Sequence, residues 1–383
     1  MLPYGRHYLD EEDIACVVKV LRSDFITQGP KIKEFEEALA RYCGARYAVT
    51  FNSGTSALHA AYFAAGLGPG DEFVCPAITF CATANAGMFL GARPIFADVE
   101  EDTGNIDPAQ IGNLITPKTK LIVPVHYAGH PADLEKIYTT AQRYGLKVIE
   151  DACHALGAKY QGVPIGSCQY SDMTVFSFHP VKHITTGEGG AVLTNSENYY
   201  EKLLMFRNHG ITKEPARFQN KPDGPWYYEM QFLGWNYRMT DFQAALGLSQ
   251  LKKLDWFVGR RREIAAVYHE HFSNFDFFDL PEEQPGLRSA WHLYVVRLKG
   301  PFLEIKAQLF TALKEKGIGV QVHYLPVYWH PFYQSLGYET GLCPRAEGFY
   351  RRAMSLPLFP AMTEIDVDRV KHTVIEVLTE AMR

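Results

Sequence analysis

One lysine stands out by its setting. Lys182 lies in Ser177-Phe178-His179-Pro180-Val181-Lys182-His183-Ile184-Thr185-Thr186-Gly187-Glu188-Gly189-Gly190, after an apolar run and before a glycine-rich turn. Upstream, Val148-Ile149-Glu150-Asp151-Ala152-Cys153-His154 ends an apolar segment in acid. An amine that can form a Schiff base and a carboxylate that can keep a ring nitrogen protonated are what pyridoxal phosphate requires. The competing reading of Lys182 is a solvated surface lysine. Its apolar approach, Met173 to Phe178, argues against that, whereas Lys147 and Lys159 flank strands where an end charge is ordinary. Asp151 reads equally well as the cap of a following helix. Glu150 points to the opposite face if the strand continues through it.

Other residues could complete such a site. Ser53-Gly54-Thr55-Ser56 joins a strand to a helix. The free N–H groups of a helix start, with small hydroxyl residues beside them, bind phosphate. Ser177 could donate to the same group. Phe80 offers a face for ring stacking, though an aromatic there also suits a core. His154 either abuts the ring or is a satisfied histidine. Asn236 and Arg238 could reach a phosphate, and His323 and Tyr324 end a strand where substrate contacts are reasonable. His179 and His183 have the i, i+4 spacing of a metal pair, but Pro180 and the glycine turn break any helix there, so no metal is expected. Gly187-Glu188-Gly189-Gly190 lacks the spacing of a dinucleotide loop, and no phosphate-loop motif is present.

These residues need a scaffold. Helical spacing runs over Glu11 to Leu21, Lys33 to Tyr42, Ala57 to Ala65, Phe80 to Phe89 and Leu134 to Tyr144. Short apolar strands fall between, at Tyr47–Phe51, Phe73–Pro76, Pro94–Val99, Leu121–His126 and Lys147–Asp151. That alternation implies an α/β fold with a mostly parallel sheet covered on both faces. Its sites lie beyond the carboxyl ends of the strands, so Thr55, His126 and Asp151 should converge. From about residue 248 the pattern changes. A long charged helix (Leu251 to Phe272), a strand (Trp291 to Leu298), a helix (Leu303 to Lys316) and a strand (Ile318 to Tyr324) predict a smaller α+β domain. The boundaries read as 1–248 and 249–383. Lys213 to Trp226 reads as a loop over the sheet.

The 383 residues are 47% hydrophobic and 21% charged, with a formal net charge of −5. This is an ordinary globular composition with no feature that calls for nucleic acid or an anionic membrane. No apolar run is long enough to span a bilayer, and no leader is expected at the N-terminus. Seven scattered cysteines without a C-x-x-C pair fit reduced thiols in the cytoplasm.

As a set these motifs resemble the DegT/DnrJ/EryC1/StrS family of pyridoxal-phosphate sugar aminotransferases. The resemblance covers nearly the whole chain. It rests on S-D-F-I-T-Q-G from Ser23, N-S-G-T-S-A-L-H from Asn52, V-I-E-D-A-C-H-A-L-G from Val148, the Lys182 stretch, G-W-N-Y-R-M-T-D-F-Q-A-A-L from Gly234 and S-L-P-L-F-P from Ser355. Within the family, M-x-P-Y-G-R at the start, V-P-V-H-Y-A-G-H-P from Val123 and V-H-Y-L-P-V from Val322 are most similar to the transaminases that make UDP-4-amino-4,6-dideoxy-N-acetyl-β-L-altrosamine for pseudaminic acid. The resemblance implies an aspartate aminotransferase-like fold (fold type I), a mixed seven-stranded sheet, and a homodimer with shared sites. It implies Lys182 as the Schiff-base lysine, Asp151 as the pyridinium partner and Phe80 as the stacking residue. Gly54, Thr55 and Ser177 match the phosphate cradle, and Asn236 matches a residue reaching the phosphate from the neighbouring subunit. His154 joins the cofactor set, while Tyr4, His323 and Tyr324 match positions near the sugar nucleotide. Gly54 departs from the pattern, since many subgroup members carry Ala. The implied donor is L-glutamate and the implied acceptor a UDP-4-keto-6-deoxy-N-acetylhexosamine. Family dehydratases carry a histidine at the lysine position, and Lys182 disfavours that reaction. A silent cofactor- or sugar-binding regulator would not need lysine, aspartate and serine together.

Overall fold

The computed structural model describes residues 1–382. Seven strands form the main sheet: β1 (Tyr47–Phe51), β2 (Glu72–Pro76), β3 (Arg93–Ala97), β4 (Thr119–Ile122), β5 (Lys147–Asp151), β6 (Met173–Ser177) and β7 (Gly190–Thr194). Their order is β1-β7-β6-β5-β4-β2-β3. The run from β6 to β3 is parallel. Strand β7 is antiparallel to both β1 and β6, so β1 points the same way as the parallel strands. The carboxyl ends of β1, β2, β5 and β6 therefore open on one edge, and β7 begins there. Gly190 starts β7 opposite both Phe51 and Ser177. A Cβ at Gly190 would lie 2.5 Å from the Ser53 carbonyl oxygen, so the crowding at this edge requires glycine. The result is the expected α/β fold with a mostly parallel mixed sheet.

Helices cover the sheet because their apolar stripes match it: α1 (Glu11–Leu21), α2 (Pro30–Cys43), α3 (Gly54–Ala64), α4 (Ala82–Met88) and α5 (Leu134–Tyr144). Helix α3 is buried on nearly every side, and its Ala57, Ala60, Ala61 and Ala64 allow close approach. Further on, α6 (Asp241–Lys252) is capped by Thr240 with a reciprocal bond from Gln243. The long helix α7 (Leu254–Phe272) starts only after a break at Lys253. With α8 (Lys306–Glu315) and α9 (Glu364–Glu380) it packs on a three-stranded antiparallel sheet of Phe278–Asp279, Tyr294–Leu298 and Ala353–Leu356. Tyr268, Phe272, Tyr294, Leu313 and Val374 belong to the apolar cluster of this unit. The expected division after residue 248 runs through α6. No helix among the described residues is long and apolar enough to cross a membrane.

One expected strand is corrected. Ile318 to Tyr324 is extended but forms only isolated bridges, Ile318 with Leu2 and Gln321 with Ser355. The N-terminal segment takes up its backbone groups instead. Leu2 N–H donates to the Gly317 carbonyl at 2.9 Å, and Gly319 N–H donates to that of Leu2 at 2.7 Å. This contact carries Tyr4 to the edge of the main sheet, beside His323.

Candidate active site

A cavity of about 780 Å³ opens at that edge. Tyr4, Gly54, Thr55, Phe80, Asp151, His154, Ser177, Lys182, His323 and Tyr324 all line it. Ten of the residues singled out in the sequence are thus brought together, from segments more than 300 positions apart, while Asn236, Arg238 and His126 are not among them.

Asp151 is the last residue of β5 and is buried. Its Oδ2 accepts a hydrogen bond from Thr83 Oγ1 at 2.6 Å, and its Oδ1 accepts one from the Cys153 N–H at 3.2 Å. Thr83 is bonded in turn to Thr79 at 2.7 Å. These bonds hold the carboxylate in one orientation. Strand alternation sends Glu150 to the other face, where it accepts from Thr174 at 2.9 Å and meets His126 Nε2 at 2.8 Å. That contact also corrects an expectation. His126 does not join Thr55 and Asp151, because it is fully buried beside Glu150 with its Nδ1 accepting from the Ala132 N–H.

Lys182 sits in a loop drawn tight by its own backbone. Its N–H donates to the His179 carbonyl at 2.9 Å, and both Thr185 Oγ1 and the Thr186 N–H donate to that of Phe178 at 3.0 Å. Burial lowers the Lys182 pKa below the ordinary lysine value, while nearby Cys153 and Asp151 oppose that shift. A lowered lysine pKa suits a nucleophilic amine. Lys147, by contrast, pairs with Asp172 at 3.3 Å on the outside of the fold.

The other side of the cavity is the start of α3. Ser53 caps it by accepting from the Ser56 N–H, and Ser56 returns a bond to the Ser53 N–H. The Gly54 and Thr55 N–H groups at the first turn have no helical acceptor, which makes this end a ready anion site. Ser177 stands against it. A Cβ on Gly54 would lie 2.9 Å from the Ser177 Cβ, so in this chain the pair packs only because Gly54 is bare.

The remaining wall is aromatic. Phe80 is 57% exposed, unusual for a phenyl ring, and its centroid lies 6.0 Å from that of Tyr324. The Tyr324 hydroxyl is 3.1 Å from His154 Nε2. His323 Nδ1 is 2.8 Å from Ser355 Oγ, and burial pushes the His323 pKa down to about 3. Burial also raises the Tyr4 and Tyr324 hydroxyls above the ordinary tyrosine value. These groups are neutral hydrogen-bonding partners near neutral pH.

Asn236 does not line the cavity of its own chain. It lies exposed at the end of a stretch of chain that exposes apolar side chains, with Trp226 71%, Leu233 74% and Trp235 45% exposed. Arg238 is engaged with Asn208 at 2.5 Å. Sequence reasoning missed Thr83, which orients Asp151 from 68 positions away with no motif to announce it. It also missed Glu188, which lines the cavity from the glycine turn. Among the described residues no group of three or more His, Cys, Asp or Glu side chains could hold a metal ion.

Comparison with known proteins agrees with this geometry. The DegT/DnrJ/EryC1/StrS aminotransferase family profile matches residues 7–375. The spore coat polysaccharide biosynthesis protein SpsC of Bacillus subtilis is 41% identical over 383 residues, covering 99% of this chain and 98% of that protein. The solved structure of Helicobacter pylori PseC, an aminotransferase in pseudaminic acid biosynthesis, superposes with a TM-score of 0.93 at 35% identity, over 99% of each chain. Spr1654 of Streptococcus pneumoniae, solved in a PLP form, gives a TM-score of 0.92 at 30% identity over 100% of this chain and 99% of that one. With the family profile spanning nearly its whole length, this chain belongs to the DegT/DnrJ/EryC1/StrS aminotransferase family.

Proposed function

We propose that this protein transfers the amino group of L-glutamate to C4 of a UDP-4-keto-6-deoxy-N-acetylhexosamine, with pyridoxal 5′-phosphate as cofactor. The product is then UDP-4-amino-4,6-dideoxy-N-acetyl-β-L-altrosamine, a reading supported by the likeness to an aminotransferase of pseudaminic acid biosynthesis. The observation that carries the reading is the meeting of Lys182, Asp151 and the free start of α3 in one cavity.

The residues present fit the cofactor. The phosphate is assigned to the Gly54 and Thr55 N–H groups and Ser177 Oγ, and the ring to the space between Phe80 and Asp151, with His154 beside it. When bound, pyridoxal phosphate supplies an electron-withdrawing ring and a carbonyl that takes up an amino group. Asp151 would keep the ring nitrogen protonated. Lys182 Nζ would anchor the cofactor and, as a free amine, would act as the base that moves a proton at the donor's α-carbon. Tyr4, His323 and Tyr324 orient the sugar with neutral donors and acceptors. We place the reaction in the cytoplasm, in keeping with seven free thiols. The active unit is read as a homodimer, with Asn236 completing the phosphate site of its partner. The exposed apolar side chains between Trp226 and Trp235 support that arrangement.

Lys182→Ala is expected to abolish UDP-amino-sugar formation from L-glutamate and the keto sugar, followed by chromatography of the nucleotide products. Full activity in that variant refutes the assignment. A second reading is amination of a different nucleotide 4-keto sugar, favoured by the higher identity to SpsC. A panel of UDP- and dTDP-linked 4-keto sugars separates the two by their kcat/KM.

A further inference from the structure

Behind Lys182 lies a file of imidazole rings of which the reaction as described uses only His154. His154 follows β5, His183 follows Lys182, and His292 precedes the strand Tyr294–Leu298. The rings of His154 and His292 are 4.3 Å apart at 36°, and those of His292 and His183 are 5.5 Å apart. At the cavity end His154 Nε2 meets the Tyr324 hydroxyl at 3.1 Å. At the other end His183 Nε2 is held by the Ala290 carbonyl at 3.1 Å. Arg261 of α7 donates nearby to the carbonyls of His292 at 3.1 Å and Leu358 at 2.7 Å.

The file is expensive to bury. All three imidazoles are at most 5% exposed, and the Nδ1 of each has no hydrogen-bond partner among the described residues. A buried polar atom left unmet keeps its desolvation cost, so apolar rings would serve packing better. Nor can the file store charge. Burial drives the three pKa values down, and the charge of Lys182 lowers all three further. What distinguishes the file is its one working end, the His154–Tyr324 hydrogen bond at the cavity wall. His154 has no other side-chain hydrogen bond to hold its ring plane; the Tyr324 ring lies near-parallel to it at 6.0 Å, and the tilted ring of His292 is the closer neighbour at 4.3 Å.

We propose that His292 is a positioning residue: by packing its tilted ring against His154 it fixes the imidazole that hydrogen-bonds Tyr324, and so orients the Tyr324 hydroxyl toward the acceptor substrate. This inference rests on the reading of the cavity as a sugar-amination site. His292 and Tyr324 come from the C-terminal part of the chain and His154 from the end of β5. The packing therefore ties a substrate contact to the sheet that holds Asp151.

The test is a double-mutant cycle on the cofactor-loaded enzyme. His292→Ala removes the ring contact and His292→Phe keeps a ring without nitrogen. Each is made alone and in a Tyr324→Phe background. Two quantities are read: kcat and KM for the keto sugar, and the calorimetric Kd of the UDP-sugar without amino donor. His292→Ala is expected to weaken UDP-sugar binding and kcat/KM about tenfold, His292→Phe to stay within about threefold of the parent, and His292→Ala to add less than about twofold once Tyr324 is Phe. Equal losses from His292→Ala in both backgrounds overturn the proposal, as does a His292→Phe variant as poor as His292→Ala. If His292→Ala does not fold, His292→Leu replaces it with the same expectations. A parent enzyme that neither binds nor aminates any UDP-keto sugar defeats the substrate reading. The same cycle is then read on glutamate-driven loss of the bound cofactor's visible absorbance band, where additive losses still overturn the role of His292.

Discussion

Asp151 shows how much a proposed catalytic position depends on a neighbour. Its carboxylate is oriented by a hydroxyl, Thr83 Oγ1, that is fully buried and 2.6 Å away. Hydrogen bonds to charged groups are worth about 1.5–3 kcal/mol, and about 1.4 kcal/mol is a factor of ten. Thr83→Val preserves shape and removes the donor. It is expected to lower kcat/KM by about tenfold or more while leaving the thermal midpoint within a few degrees, read by steady-state kinetics and calorimetry. An unchanged kcat/KM would mean that the Cys153 N–H alone orients Asp151. The Lys182 stretch and the acid at the end of β5 were legible because each is a local pattern, a tight loop after a strand and an acid at a strand end. Thr83 was not, because a single hydroxyl on a short helix carries no signal until the fold lays it against Asp151.

At the level of elements, α2 and α6 are joined through one carboxylate. Asp241, fully buried in the first turn of α6, accepts from the N–H groups of Gly29 at 2.7 Å and Lys31 at 3.0 Å at the start of α2. A Cβ at Gly29 would fall 2.7 Å from Asp241 Oδ1, so a residue with a side chain there would break the same joint. Asp241→Ala leaves both N–H groups unmet and is expected to cost about 2 kcal/mol. Urea unfolding followed by circular dichroism should show a lower midpoint with an unchanged m-value. Thr240 caps its own helix, whereas Asp241 caps one some two hundred positions earlier. The helices and strands themselves were largely legible, because apolar periodicity reports which face is buried. Ile318 to Tyr324 was misread for the same reason. Its apolar alternation marks an extended, half-buried chain, but the partner that decides whether it pairs as a strand is the N-terminal segment.

For the whole molecule, the question is where Asn236 acts. It is exposed beside Leu233 and Trp235 and absent from its own chain's cavity. If two copies share their sites, a Lys182→Ala protomer can lend its Asn236 to a protomer that lacks one. Mixing and reassembling Lys182→Ala with Asn236→Ala should then restore roughly a quarter of parental activity, since half of the random dimers are mixed and each has one intact site. No recovery on mixing, with dimers confirmed by sedimentation velocity, would place Asn236 outside the partner's site.

The local chemistry was present in the chain as written. The lysine loop, the acid at a strand end, the Ser-Gly-Thr-Ser helix start and the alternation of strands and helices are all short-range patterns, set by what a strand buries and what a helix start exposes. Tertiary structure alone decided the rest. It sent His126 to the far face with Glu150, placed Thr83 on Asp151, brought Tyr4 in through a pairing of Leu2 with Gly319, and packed His292 against His154. Each of these is a contact between segments distant in sequence, and packing free energy summed over the whole core, rather than the preference of any short stretch, selects it.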